Sequence, residues 1–180
     1  MLQILNAPNE VLSKKADPIK SIDSLLLSFI EQMSQALESA TDPIGVGLAA
    51  PQAGKSIQLF IIKPKVNSKI LVFINPKILD QKPSVKTKKG HKTKKLEGCL
   101  SLKDIWGEVE RSPQITLEYM DEKGRKHTKI FNGFMATIIQ HEMDHLEGIL
   151  FPKRVLEQKG ILYKSEKDEK GQDVFEEIKI

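Results

Sequence analysis

His141 and His145 stand four residues apart with Glu142 between them, in the string His141-Glu142-Met143-Asp144-His145. On a helix this spacing puts both imidazoles on one face, one turn apart, where they can share one ion. Glu142 projects beside them, close enough to take a proton from water without being a ligand. A hydrolytic metal site wants three protein ligands and one position open to solvent. Cys99, in Glu97-Gly98-Cys99-Leu100-Ser101, is the candidate third ligand. A thiolate binds zinc or ferrous iron well, and the flanking Gly98 lets the backbone come close. Cys99 is the one cysteine of the chain, so no internal disulfide claims it. The bland alternative is two hydrogen-bonded histidines and a cysteine that merely packs. It weighs less, because burying two imidazoles and a carboxylate without a cation is costly.

The histidine pair needs a helix, and the periodicity predicts one over Phe134 to Glu147, closed by Gly148. Its apolar positions, Phe134, Met135, Ile138, Ile139 and Leu146, wrap much of the circumference, which places this helix centrally and buried. A second, amphipathic helix is predicted over Ser21 to Ala40. Ile22, Leu25, Leu26, Phe29, Ile30, Met33, Leu37 and Ala40 recur at three-and-four spacing, and Thr41-Asp42-Pro43 stops them. Ile57 to Lys63 and Ile70 to Ile74 read as strands, the second ended by Asn75-Pro76. Ile115 to Tyr119 alternates with period two, Asp121-Glu-Lys-Gly124 turns, and Lys126 to Phe131 returns. Ile161 to Tyr163 and Val174 to Ile178 flank a similar turn and read as a C-terminal hairpin. The fold expected is α+β: antiparallel sheets packed around a central buried helix that carries the His-Glu-x-x-His motif, with an N-terminal amphipathic helix.

A chain of 180 residues, 39% hydrophobic and 29% charged, fits one domain over 1–180 with a real core. No apolar run approaches a bilayer span, and the N-terminus lacks the regions of a secretory signal or transit peptide, so the expectation is cytoplasmic. The net charge of +4 invites a nucleic-acid reading, but the charge is local. Seven lysines and no acid lie between Lys82 and Lys95; the rest of the chain holds 21 basic and 24 acidic residues. That segment reads as an exposed loop or hairpin tip. Without interleaved aromatics it predicts no sequence-specific nucleic-acid recognition.

Three motifs in order give the chain a family resemblance. Gly45-Val-Gly-Leu-Ala-Ala-Pro-Gln52, Glu97-Gly-Cys-Leu-Ser101 and Gln140-His-Glu-Met-Asp-His-Leu-Glu-Gly148 resemble the marks of the peptide deformylases, and Ile4 to Pro18 looks like that family's N-terminus. The resemblance runs from about Leu2 to Leu156. It implies an enzyme that removes the formyl group from N-formylmethionyl nascent peptides and releases formate. Carried over by position, it implies Cys99, His141 and His145 as ligands of one divalent ion, Glu142 as general acid and base, and the Gln52 amide with the Leu100 N–H as oxyanion donors. Val46, Gly47 and Gly98 would line the substrate strand, and Phe134, Thr137 and Ile138 the methionine pocket. Fe2+ would be the native ion, with Zn2+, Ni2+ or Co2+ able to take its place. Leu102-Lys103 departs from the Ile-Pro or Val-Pro common after the cysteine motif, and a hairpin replaces the terminal helix of some members.

The resemblance also makes weak ribosome contact through Lys82 to Lys95 plausible beside the plain solvated loop, since phosphate contacts are electrostatic. Two further readings stand against a deformylase. A zinc metalloprotease would use the same helix, but the Cys ligand and the lack of a third His or Glu in an obvious downstream ligand motif argue against it. A catalytically dead binding module would be expected to have lost Gln52, Cys99, Glu142 or a histidine, and all are present.

Overall fold

The computed structural model describes residues 2–83, 96–169 and 171–179. Its frame is a five-stranded antiparallel sheet with two strands that are apolar on both sides. In β2 (Leu59–Ile62) and the start of β3 (Leu71–Gln81), Phe60, Ile62 and Phe73 point one way, and Leu59, Ile61, Val72 and Ile74 the other. A strand can be apolar on both faces only if both faces are covered. Helix α1 (Ser24–Ser39) covers one and α2 (Gly133–Leu146) the other. The sheet order is β1-β2-β3-β6-β7, with β1 (Gly47–Ala49), β6 (Gln114–Met120) and β7 (Lys126–Asn132) completing it.

A second antiparallel sheet has the order β4-β5-β8-β9, from β4 (Leu96–Cys99), β5 (Leu102–Glu108), β8 (Leu162–Lys167) and β9 (Asp173–Glu177). Helix α3 (Phe151–Glu157) packs on it through Phe151 and Val155, in one cluster with Cys99 and Leu162. The mixed architecture, with antiparallel sheets and few helices, agrees with the α+β expectation. Asp23 starts α1 by accepting the Leu26 N–H at 2.8 Å, a cap that satisfies one of the helix's orphan donors. Gly148 follows α2 at φ +70, where a Cβ would lie 2.7 Å from the Ser13 backbone. The Asp121 turn is drawn tight by its carboxylate, which accepts from the Lys123 and Arg125 N–H groups and from His127 Nε2.

Several expectations need correction. The first helix begins at Ser24, not Ser21, and Leu25 is 75% exposed rather than on the packed face. Asn75-Pro76 does not end β3; it makes a bulge inside a strand that continues to Gln81. Asn75 takes φ +48 there, and its amide bonds both the N–H and the carbonyl of Ile19 at 2.8 Å. A bulge is where a proline can sit inside a sheet. Phe134 is 54% exposed rather than core, because it stands in the first turn of α2, at a cavity mouth. Strands β4 and β5 and helix α3 were not anticipated, although Pro152 in the first turn of α3 is a usual helix-start residue. The expected lysine-rich loop falls mostly on residues 84–95, outside the described residues.

Phe73 is fully buried between the Phe60 and Tyr119 rings, with centroids 4.7 and 4.5 Å away. Phe73→Ala would leave a void between the sheet and α2, costing about 3–5 kcal/mol. Urea unfolding with an unchanged slope is the measurement, and a loss below about 1 kcal/mol would show that the core collapses around the site.

Candidate metal centre

Three side chains from two elements converge at the edge between the sheets. Cys99 ends β4, and His141 and His145 lie one turn apart on α2. Their ligand atoms all fall within 4.8 Å of one another, and Cys99 Sγ is 3.3 Å from His145 Nε2. Cys99 and His145 are buried, and His141 is half-buried. Burial raises the Cys99 thiol's pKa, but the two imidazoles outweigh it and bring the value to about 5. The sulfur is therefore a thiolate near neutral pH, the form that binds a cation.

The residues fit a divalent ion. A tight cluster of one thiolate and two imidazoles is the donor set of a borderline-soft metal. The adjoining carboxylate points the same way: Glu142 is 3% exposed, and its Oε2 has no hydrogen-bond partner among the described residues. Burial lifts Glu142 to a pKa of about 7 against the pull of His141 and His145. That poises it to exchange protons at neutral pH. Residue 47 has to be glycine, because a Cβ there would collide with the Glu142 carboxylate. Strand β1 can thus pass directly over the group.

Gln52 reaches the same place from a short 3-10 helix, Ala50–Ala53. Its Oε1 accepts the Ala49 N–H at 2.9 Å, so its Nε2 is turned toward Cys99 Sγ at 3.5 Å and Ser101 Oγ at 3.1 Å. A fixed donor beside the sulfur is what a developing oxyanion requires. Above these groups opens a cavity of about 630 Å³. Val46, Gly47, Gly98, Leu100, Phe134, Thr137 and Ile138 all line it, together with Gln52, Cys99, His141 and Glu142. His145 lies beneath, outside the lining.

Sequence reasoning missed the groups that hold His141. Glu97 Oε2 lies 3.1 Å from His141 Nδ1, which leaves Nε2 to face the sulfur. Arg111 donates through Nε and Nη2 to both Glu97 oxygens, at 2.8 and 2.9 Å, and through Nη1 to Asp144 at 2.6 Å. Arg154 donates to Asp144 from the far side at 2.7 Å. Burial works against Glu97's charge, yet Arg111 and His141 bring its pKa down to about 2. Glu97 and Asp144 stand inside motifs already singled out, and a charged residue in a buried motif was the available signal. Arg111 has no such signal, since nothing local distinguishes it. Trp106 and Val109, also on the cavity wall, likewise escaped notice.

The comparisons with known proteins bear out the family resemblance. The family model described as polypeptide deformylase matches residues 1–160 and so stops before the C-terminal hairpin. A peptide deformylase of Chlorobium luteolum is 38% identical over 160 residues, covering 86% of this chain and 78% of that protein. One from Christiangramia forsetii is 37% identical over 180 residues, covering 92% and 87%. Among solved structures, a peptide deformylase from Synechococcus elongatus in complex with actinonin has a TM-score of 0.74 at 38% identity, covering 85% of this chain and 78% of that one. A Met-Ala-Ser-bound class I type b enzyme from Acinetobacter baumannii has a TM-score of 0.72 at 30% identity, covering 86% and 98%.

Glu97→Gln would strip Arg111 of half its partners while keeping the shape. Breaking a buried pair on one side costs about 3–5 kcal/mol. Chemical unfolding measures it; a variant as stable as the parent would show that Asp144 alone satisfies the guanidinium.

Proposed function

The chain belongs to the polypeptide deformylase family, enzymes that remove the formyl group from an N-terminal methionine, and on that premise we propose that its residues act through one divalent ion held by Cys99, His141 and His145. The observation that carries this is the convergence of the Cys99 sulfur with both imidazoles under the cavity. The ion, when bound, supplies Lewis-acid polarisation of the formyl carbonyl and acidification of a water.

Glu142, with no partner for Oε2 among the described residues and poised near pH 7, takes the proton from the attacking water. It then gives that proton to the leaving amine, so one carboxylate serves as base and acid in turn. The Gln52 amide and the Leu100 N–H donate to the oxygen that gains charge, each contributing roughly 3 kcal/mol to the transition state. Phe134, Thr137 and Ile138 receive the methionine side chain, while Val46, Gly47 and Gly98 border the peptide backbone. The products are formate and a peptide with a free N-terminus. Helix α2 is the central scaffold, residues 1–180 form one catalytic unit, and the ion is Fe2+ in the cell, where Zn2+, Ni2+ or Co2+ can substitute. The enzyme works in the cytoplasm on nascent chains; no helix among the described residues is long and apolar enough to cross a membrane.

Anaerobic purification with metal analysis, followed by formate release from formyl-Met-Ala-Ser, tests this reading. Near one equivalent of metal and ready turnover are expected. Glu142→Ala should keep the metal and lose turnover by at least about a hundredfold; wild-type rates in that variant would remove Glu142 from its role.

The lysines between 82 and 95 are proposed to give weak ribosome contact through phosphate neutralisation. Changing four of them to Gln should reduce co-sedimentation with ribosomes at low salt and spare turnover of small peptides. Sedimentation unchanged across salt concentrations would rule the contact out.

A further inference from the structure

The N-terminal stretch has no part in the chemistry above, yet it meets all three motif-bearing segments. Leu5 N–H donates to the Gln52 carbonyl at 2.8 Å, Ala7 N–H to the Ser101 carbonyl at 2.9 Å, and Ala16 N–H to the Leu146 carbonyl at 2.8 Å. Gln52 is the amide beside the sulfur, Ser101 follows Cys99 by two residues, and Leu146 follows His145 directly. We propose that residues 4–17 are a positioning belt for the reaction, whose backbone sets Gln52 against the Cys99 segment so that the two oxyanion donors keep the spacing the transition state needs. The proposal rests on the deformylase reading and gives a role to a stretch that lies outside the cavity lining.

The topology creates the need for such a belt. Gln52 follows β1 of the five-stranded sheet, and Leu100 lies between β4 and β5 of the other. The two sheets are separate hydrogen-bonded ladders among the described residues. Two residues of chain reach at most about 7 Å, so Leu5 and Ala7 tie the Gln52 and Ser101 carbonyls within one short span. The groups inside that span are pinned as well. Gln52 Nε2 donates to Ser101 Oγ at 3.1 Å, and the Ser101 N–H donates to Cys99 Sγ at 3.4 Å. Donors fixed in advance stabilise a growing charge without having to reorganise.

The belt has anchors of its own. Ile4 packs on the core beneath α1, and Ala16 belongs to the core beneath α2. Between them Leu12, in the short 3-10 turn Glu10–Ser13, is 1% exposed. Asp17 bonds both ways beside β2: its N–H donates to the Ser56 carbonyl at 2.9 Å, and its carbonyl accepts the Gln58 N–H at 2.8 Å. The last carbonyls of a helix have no partner within it. Ala16 supplies one to α2 at the turn that carries His145. Leu5, Ala7 and Ala16 are therefore positioning residues, and they act through their N–H groups.

Single N–H groups can be removed while the side chains stay. Lactic acid at position 7, or 2-hydroxy-4-methylpentanoic acid at position 5, introduced by nonsense suppression, puts an ester oxygen where the donor was. In the metal-loaded full-length enzyme, kcat for formyl-Met-Ala-Ser should fall roughly tenfold, with KM and metal content unchanged, because the donors act on the transition state. An ester at position 11 is the control: Val11 N–H donates to Asn9 Oδ1 at 3.0 Å within the segment, and kcat should hold. Belt and Gln52 work through one donor, whereas a fault elsewhere in the fold would act independently of it. In a Gln52→Ala background the ester at position 5 should thus cost clearly less than it does alone. Leu12→Ala keeps every N–H and removes only the buried anchor, so it decides the matter if the ester proteins fail to fold. It too should lower kcat at constant KM, and by less beside Gln52→Ala. Parental kcat in these variants, or losses that multiply in full with Gln52→Ala, would overturn the belt and leave the deformylase reading intact. A wild type that releases no formate would instead remove that reading and this proposal with it.

Discussion

A thiolate, two imidazoles and a carboxylate held together away from water are the constraint on which the rest depends. Each group is costly to bury alone, and the cost falls only if the charges are matched. The molecule matches them on two levels. Arg111 is clamped between Glu97 and Asp144, so the carboxylate that orients His141 is itself held. On the inner side, Cys99, His141 and His145 offer a cation three donors. What Arg111 does for the outer carboxylates, an ion would do for the inner cluster.

That arrangement demands a rigid frame, because the donors come from different parts of the chain. Helix α2 supplies both histidines and Glu142, and it rests on the face of the five-stranded sheet built from Phe60, Ile62, Phe73 and Ile115. Cys99 arrives on the other sheet, seated with Phe151, Val155 and Leu162. The relative placing of the two sheets therefore sets the distance from sulfur to imidazole. Gly47 fits the same logic. Strand β1 closes over Glu142 only because no side chain stands there, and this closeness buries the carboxylate and lifts its pKa.

The second sheet has a further consequence for the cavity. Strand β5 carries Trp106 on the cavity wall, and β8 and β9 extend the sheet outward from it. The surface that begins at Cys99 thus continues, without a break in the sheet, into the C-terminal hairpin.

The candidate site was legible in the sequence because it is written locally. Two histidines at i and i+4 with a glutamate between them need only a helix to become a site, and the helix announced itself by its own periodicity. The cysteine was found by its solitude and its glycine neighbour, and the β6–β7 and C-terminal hairpins by their turns. What the sequence could not determine were relations between distant segments. Arg111 became a structural centre only when folding brought Glu97 and Asp144 to its two sides. Trp106 looked ordinary until β8 and β9 fixed its ring over Gly98. Phe134 read as core by type, yet its place in the first turn of α2 put it at a cavity mouth. Side-chain pattern reports which face of an element is apolar. Only packing decides what that face meets, because contacts depend on the placing of whole elements and leave no period behind.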